Sequence, residues 1–347
     1  MNENELKSIE RYFNKFNEDA ASFNEFEAND FIKLLKNNGR NDDAIEVGNT
    51  FLQMAPSLKG YINQYGYALY NKFINIDDEK IKEKESLFFD ILEDILGICK
   101  QEKYSPVEPA INRAIKYSLN QTPINYDLMI KMLNKLDVKL LSDKPFVNNE
   151  GREFESFKER YFRLKVRALF ETKQYKACVE CANQALATPL KWHYNALQWI
   201  KYYRGCALLE LKEYDEAEKI YDKLINNDSK NAQYYILKGE CLAKSGDAKA
   251  AVKVYEQGWN STNDTDFLEK ICEIYVEQKD YDNALKYIQK GIEQGGESKA
   301  GFMYGKIVIY EKAQEYDRAY EAAKKYVELY PDDEAGKKEY IFLSTRI

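Results

Sequence analysis

Histidine is almost absent from this sequence: His193 is the only one in 347 residues. A Ser-His-Asp or Cys-His pair, a HExxH zinc helix and a multi-histidine metal site all need histidines that the chain does not supply. The phosphate-binding pattern GxxxxGK followed by Ser or Thr is absent too. Gly291, Gly295 and Gly296 lie between helical segments rather than after a strand, which argues against a dinucleotide-binding loop. We therefore expect no enzyme activity, no cofactor and no bound metal.

Long apolar runs are also missing. No stretch approaches the 18 residues that a membrane-spanning helix needs. The first residues, MNENELKSIERYF, have neither the basic and apolar run of a signal peptide nor an Arg-rich transit pattern. These features predict a cytoplasmic protein without a membrane partner. Six scattered cysteines fit buried thiols in a reducing compartment better than a disulfide framework.

Neither sign of charge dominates the sequence. The chain has 51 basic and 58 acidic residues, for a net charge of −7. Proteins that bind nucleic acid or anionic membranes usually carry a basic surface, so this balance disfavours nucleic acid as the partner. Solenoid proteins do bind single strands through basic grooves lined with aromatic rings, and RNA binding therefore stays open as a third alternative.

What the sequence does contain is a repeat. Gly205 recurs as Gly239, Ala217 as Ala251 and Tyr221 as Tyr255, each 34 residues later. A small residue allows two helices to approach closely, and an aromatic residue beside it fills the remaining space. Between them lies a turn with Gly or a Lys-Glu pair. Each unit is therefore expected to be a helical hairpin that buries its apolar stripe only by stacking on its neighbours.

These landmarks resemble the tetratricopeptide repeat, whose 34-residue unit has a small residue at position 8, Ala at 20, an aromatic residue at 24 and Pro at 32. Gly205, Leu208, Tyr214, Ala217 and Tyr221 fit positions 8, 11, 17, 20 and 24. Neighbouring repeats are marked by Val166, Leu169, Tyr175, Cys178, Ala182 and Pro189, by Cys272, Tyr275, Tyr281 and Ala284, and by Tyr310, Tyr316, Ala319 and Pro331. The resemblance covers residues 155–347 and implies an all-α fold, a right-handed superhelical solenoid of antiparallel helical hairpins.

The remaining sequence predicts three parts. Residues 1–106 form an N-terminal helical segment with degenerate repeats, beginning with an amphipathic helix. Residues 107–150 keep helical spacing without the small-residue landmarks, and we interpret them as an irregular helical connector in the middle of the chain. Residues 151–347 form the repeat array, which ends in a capping helix containing Tyr340 and Ile341. The boundary segment LSDKPFVNNEGREFES has the composition of turns and loops.

One cysteine pattern needs weighing. Cys178 and Cys181 form a CxxC, followed by His193 and Cys206, and four such ligands could bind zinc or the pair could be redox active. We call the numbering of residues by their position in the 34-residue repeat the repeat frame. In this frame, Cys178 stands at position 20 in place of the usual small residue, and a cysteine there behaves as a compact apolar residue. We therefore favour structural cysteines, and the sequence does not decide whether these residues ever bind metal.

The resemblance also implies a binding surface. In this family, positions 2, 5, 9 and 12 of each first helix line a concave groove. The candidate partner-binding residues are Arg160, Arg163, Arg167, Phe170, Trp199, Tyr202, the adjacent Tyr203, Gln233, Ile236, Glu240, Glu269 and Glu273. The groove is then basic, aromatic and acidic in turn, and it suits a segment with complementary ends and an apolar anchor. In the alternative interpretation, Glu159 and Arg163 form an exposed pair and the Trp-Tyr cluster is covered by the next hairpin.

Taken together, these features predict a non-enzymatic scaffold that binds a protein or peptide segment in the repeat groove. The main alternative is a regulatory or sensor subunit that controls an effector enzyme or toxin in trans, including in bacterial defence. A homo-oligomer is compatible with the sequence. The identity of the partner and the pathway are not encoded in any motif found here.

Overall fold

The computed structural model describes residues 2–77, 80–99 and 107–347. Over these residues the chain forms eighteen α-helices, and the all-α fold expected from helical spacing is confirmed. Lys100, Pro106 and part of the charged segment IDDEKIKEKES, for which a helix extension or a solvated loop was expected, lie outside the described residues. The chain divides into two compact units, residues 1–174 with 184–196 and residues 175–183 with 197–347.

The first unit begins with the amphipathic helix expected from the N-terminal sequence. Its helices are α1 (Glu3–Asp19), α2 (Glu25–Asn37), α3 (Asn41–Met54), α4 (Ile62–Ile74), α5 (Glu85–Cys99), α6 (Val107–Leu119), α7 (Tyr126–Asn134) and α8 (Phe157–Glu171). Aromatic rings form much of the first core: the ring of Phe23 lies 5.9 Å from that of Phe31 and 5.1 Å from that of Phe51. Such ring contacts stabilise the packing of α2 against α3 by more than the burial of their apolar area alone provides.

A short β-hairpin precedes α8. Strands β1 (Phe146–Val147) and β2 (Glu153–Phe154) pair antiparallel, with Phe146 opposite Phe154. The sequence predicted only turns and loop here, because two-residue strands are too short to show alternating hydrophobicity. Gly151 has a φ of 77° and allows the chain to reverse between the strands.

The second unit is built from regular helical hairpins. The helices that follow α8 are α9 (Tyr175–Ala187), α10 (Tyr194–Glu210), α11 (Tyr214–Asn227), α12 (Ala232–Ser245), α13 (Ala248–Thr262), α14 (Asp266–Glu277), α15 (Tyr281–Gln294), α16 (Lys299–Lys312), α17 (Tyr316–Leu329) and α18 (Glu334–Leu343). The hairpins expected from the 34-residue period are therefore present, with helix boundaries that follow the repeat frame.

Each hairpin shares its core with the next one. Tyr235 of α12, Ala251 and Tyr255 of α13, and Phe267 and Ile271 of α14 belong to one buried cluster. A further cluster joins α14, α15 and α16, and another joins α16, α17 and α18. This continuous sharing of side chains is how a solenoid buries the apolar stripe of every helix.

One turn type recurs between the helices of successive hairpins. One or two positions after the end of a first helix, one residue has a left-handed conformation, with φ between 58° and 97°. These residues are Gly39, Lys173, Lys212, Gly246, Lys279 and Gln314. The next N–H bonds to a carbonyl five residues earlier, as from Asp247 to Leu242 at 2.9 Å and from Asp280 to Tyr275 at 2.8 Å. This arrangement satisfies carbonyl groups that the end of a helix otherwise leaves unbonded.

Helix α18 packs on the preceding hairpin. Leu343 of α18 is fully buried in the same cluster as Ala323 and Tyr326 of α17. Tyr340 packs against this cluster, whereas Ile341 is 62% exposed. The expected capping helix is therefore present, and it buries one side while the other faces outward.

Candidate functional site

Three aromatic residues of α10, Trp199, Tyr202 and Tyr203, form a cluster of rings in the second unit. The Trp199 indole stacks on the ring of Tyr203 at 5.6 Å and meets the ring of Tyr202 edge-on at 5.8 Å. Tyr203 is buried, but Trp199 remains 47% exposed. The alternative that a neighbouring hairpin covers the whole cluster is therefore wrong for Trp199, whose indole is held on a rigid base and stays accessible.

The ring cluster continues onto α12, the first helix of the next hairpin. The ring of Tyr202 lies 6.3 Å from that of Tyr234 on α12, and we call Trp199, Tyr202, Tyr203 and Tyr234 the aromatic surface. Burial, followed by the nearby Cys206 thiol, raises the pKa of Tyr202 well above its usual value. The Tyr202 hydroxyl consequently stays protonated at neutral pH and can donate a hydrogen bond.

Carboxylates occupy the corresponding faces of α12 and α14. Glu240 is half-buried on α12, and Asp266, Glu269 and Glu273 are exposed on α14; we call these four the acidic surface. Burial, and then the charges of Asp266 and Glu273, raise the pKa of Glu269. Glu273 accepts a hydrogen bond from Lys270 at 3.1 Å, so one local cation already offsets part of this charge.

Two other candidates lie near the acidic surface. Gln233 is exposed in the first turn of α12, and Ile236 is half-buried and packs against the core shared by α12, α13 and α14. Ile236 therefore contributes to packing as well as to the surface.

The candidate arginines lie in the first unit, where carboxylates and an aromatic ring already engage them. Arg163 bonds both carboxylate oxygens of Glu155, and Arg160 donates to Glu155 at 3.1 Å and to Asn112 at 3.0 Å. Arg167 lies 3.8 Å from Glu171, and its guanidinium is 5.6 Å from the Tyr126 ring centre. The basic stripe is thus largely charge-compensated.

Glu155 was missed by the sequence analysis. The alternative interpretation, an exposed pair between Glu159 and Arg163, is wrong, because Glu159 is buried and caps α8 through the Ser156 backbone N–H at 2.6 Å. Glu159 also accepts from the backbone N–H of His193. The pattern Ser-x-x-Glu at 156–159 is a capping box and could have indicated this role. Phe170, the remaining candidate of this unit, is half-buried at the end of α8.

The cysteines of the second unit are packed within the helices. Cys178 donates weakly to the Tyr203 carbonyl at 3.8 Å, and Cys206 accepts from the Tyr221 hydroxyl at 3.4 Å. Burial raises the pKa of Cys178 to about 12 and that of Cys206 to about 11, so both thiols stay protonated at neutral pH. His193 is exposed. In the part of the chain that the structure describes, no group of three His, Cys, Asp or Glu side chains is arranged to hold a metal ion.

None of the helices within 2–77, 80–99 and 107–347 is both long enough and apolar enough to span a bilayer.

The geometry defines a class of protein: stacked helical hairpins with a small residue against an aromatic ring, and with rings and carboxylates on the first helix of successive hairpins. The tetratricopeptide repeat family model matches residues 163–345, which is more than half of the chain. The protein belongs to the tetratricopeptide repeat family.

Individual relatives are distant. A TPR repeat-containing protein of Methanocaldococcus jannaschii is 25% identical over 163 residues, which is 47% of this chain, and the match spans only 28% of that relative's length. Among solved structures, MamA from Desulfovibrio magneticus RS-1 is 13% identical, with 54% of this chain and 94% of that chain covered at a TM-score of 0.43. YrrB, described as a TPR protein with an unusual peptide-binding site, is 18% identical, with 51% and 89% covered at a TM-score of 0.37.

Proposed function

We propose that this protein is an interaction scaffold that binds a segment of a partner protein on the first helices of its second unit. The observation that carries the proposal is the 47% exposure of Trp199 on a base of packed tyrosine rings. Trp and Tyr are the residues that most often dominate binding energy at protein interfaces, because they bury a large area at a small entropic cost. Membership in the repeat family supports a scaffold rather than an enzyme.

The charges beside the aromatic surface suggest the chemistry of the segment. Glu240, Glu269 and Glu273 lie on α12 and α14, the first helices of the next two hairpins. Burial and then repulsion from Asp266 and Glu273 raise the pKa of Glu269, and a bound cation would relieve the repulsion. A partner segment that packs an apolar side chain on Trp199 and places Lys or Arg side chains along the acidic surface would complement both surfaces. The segment is therefore proposed to be basic with an apolar anchor.

The arginines of the first unit are a separate proposal. Arg160, Arg163 and Arg167 would contact an acidic stretch of a partner through guanidinium N–H groups that Glu155 and Asn112 leave unused, and Phe170 would add an apolar contact. An arginine has five N–H donors, so two bonds to Glu155 do not exhaust Arg163. Because Glu155 already offsets this charge, we expect these residues to contribute less than the aromatic surface.

A peptide array of random 12-residue segments, followed by fluorescence polarisation, tests the main proposal. Bound peptides should be enriched in an aromatic or aliphatic residue next to Lys or Arg. Trp199→Ala and Tyr202→Ala should each weaken binding at least about tenfold, as interface hot spots do. Tyr194→Ala is the matched control, because Tyr194 is another exposed aromatic residue of α10.

Two results would contradict this function. Unchanged binding by both Trp199→Ala and Tyr202→Ala would remove the aromatic surface from the site, and Arg163→Glu would then test the first unit. Selection of RNA over peptides, with affinity falling steeply as salt increases, would instead establish the nucleic-acid alternative.

A further inference from the structure

A basic side chain recurs at position 7 of three repeats, where it bonds back to the preceding hairpin. The donors are Arg204, Lys238 and Lys306, and the acceptors, each at position 25 of the preceding repeat, are Asn183, Asp222 and Gln289. The donor–acceptor distances are 2.7, 2.6 and 3.3 Å, in that order. The three contacts are equivalent in the repeat frame, so they can be compared directly.

The first two cations are also neutralised by carboxylates. Arg204 pairs with Glu216 of α11, and Lys238 lies 2.6 Å from Asp222 and 3.7 Å from Glu218. Both basic side chains are mostly buried, with 15% and 16% exposure, and a buried cation is stable only when it is paired.

Lys306 has the contact but lacks the carboxylate. Its ammonium donates only to the neutral amide oxygen of Gln289, and among the described side chains no carboxylate lies within ion-pair distance of it. Two substitutions in the repeat frame explain this. Leu285 stands where the earlier repeat has Glu218, and Arg318 stands where it has Glu216.

A pocket opens at Lys306. It has a volume of about 480 Å³ and lies among α15, α16 and α17. Its lining residues are Gln289, Ile292, Met303, Lys306, Tyr310, Asp317, Arg318, Glu321, Ala322 and Lys325. Ile292, Met303, Tyr310 and Ala322 supply apolar walls, and this volume is in the range of small-molecule sites.

The other charges of the lining nearly cancel. Within the lining itself, the two carboxylates of Asp317 and Glu321 face the three cations of Lys306, Arg318 and Lys325. The lining therefore carries one net positive charge, which one negative charge on the occupant would balance.

We propose that this pocket binds a carboxylate carried by an apolar group, with the carboxylate accepting from Lys306 in place of the missing acidic side chain. The apolar group would pack against Ile292, Met303 and Tyr310. Charge-assisted hydrogen bonds are stronger than neutral ones, so the carboxylate sets the specificity and the walls add affinity. The site lies outside the aromatic and acidic surfaces and is independent of the proposed scaffold function.

Such a carboxylate can come from a free aliphatic acid or from the C-terminus of a peptide, and isothermal titration calorimetry distinguishes the two. The probes are octanoate and N-acetyl-leucine, each compared with its neutral amide. At least one acid should bind saturably and at least tenfold more tightly than its amide, and the tighter acid identifies the source. Lys306→Gln should weaken that binding at least tenfold.

Lys238→Gln is the matched control, because Lys238 occupies the same repeat position with its carboxylates in place. It should leave the affinity for the acid unchanged. The proposal is overturned if neither acid binds saturably to the full chain, if the amides bind as tightly as the acids, or if Lys306→Gln binds like the original protein.

Discussion

A Cβ atom on Gly239 of α12 would lie 2.1 Å from Cε1 of Tyr255 on α13, much closer than two non-bonded carbon atoms can approach. Gly239 is thus the residue that lets the Tyr255 ring lie directly on the backbone of the partner helix. Gly205 and Tyr221, each 34 residues earlier, form the same pair. A Cβ atom on Gly205 would lie 2.9 Å from Cζ of Tyr221.

Gly239→Ala should therefore destabilise the protein by about 1–3 kcal/mol, because the added methyl group overpacks the interface. Urea unfolding followed by circular dichroism measures the change. Gly301→Ala is the control: Gly301 lies in α16 with no atom within 4 Å of an added Cβ. That substitution should be neutral or stabilising, since alanine favours helix more than glycine does. Equal effects at both positions would contradict the packing argument.

Ala217→Leu and Ala251→Leu test the repeat frame itself. Both alanines are fully buried where the two helices of a hairpin touch. A leucine should cost about 1–3 kcal/mol at either position through overpacking. Ala335→Leu, at an exposed position of α18, should change the unfolding free energy by less than about 0.5 kcal/mol. If the buried substitutions were as mild as the exposed one, the assigned positions would be wrong.

Glu155→Gln should destabilise the first unit by about 1–3 kcal/mol at pH 7, because Arg160 and Arg163 lose the carboxylate between them. Burial works to raise the pKa of Glu155, but the hydrogen bonds and charges of Arg163 and Arg160 outweigh it and leave the pKa below its usual value.

A lowered pKa means that this stabilisation is complete above the usual glutamate pKa of 4.5 and disappears as the pH falls through the folded pKa. The difference between Glu155→Gln and the original protein should therefore vanish in acid. Glu153→Gln, in the exposed strand β2, is the control. A difference that did not change with pH would show that the charge of Glu155 is unimportant.

The opposite pH dependence is expected at Glu311 of α16. Burial, followed by the hydrogen bond and charge of Glu339 on α18, raises the pKa of Glu311 to about 7. The folded state then holds this proton more tightly than the unfolded state. The contribution to stability is favourable below the usual pKa of 4.5 and is lost as the pH rises to about 7.

Glu311→Gln should consequently stabilise the protein at pH 8, by about 1 kcal/mol because water screens these partly exposed side chains. It should have little effect at pH 4. Melting temperatures measured across this range, with the exposed Glu328→Gln as control, provide the comparison. A stabilisation of equal size at both pH values would contradict a shared proton between Glu311 and Glu339.

The sequence predicted the hairpins because their small and aromatic residues contact each other at a fixed spacing. Gly205, Ala217 and Tyr221 repeat, and the helices follow. The candidates Trp199 and Tyr202 were chosen from the same repeat positions, and Tyr203 was added as the neighbour of Tyr202. The domain boundaries at 106 and 150, and the role of these residues in binding, stay predictions.

Contacts that depend on a single side chain were not predictable from the frame. Glu155 lies before α8 begins, so no helical spacing relates it to Arg160 or Arg163. In the described part of the chain, Lys306 has no carboxylate partner because Gln289, Leu285 and Arg318 stand where earlier repeats have Asp222, Glu218 and Glu216. A missing carboxylate partner of this kind becomes visible only when equivalent repeat positions are compared in the three-dimensional structure.

The left-handed turns differ in conformational cost from one hairpin to another. Gly246 adopts its positive φ without strain, but Lys279 and Gln314 carry a Cβ that makes this conformation costly, by about 1–2 kcal/mol for each residue. Because each hairpin of a solenoid contributes its own increment, this cost weakens the hairpin that contains it. Amide protons of α12 and α13, whose turn contains Gly246, should consequently exchange with solvent more slowly than those of α14 to α17, whose turns contain Lys279 and Gln314.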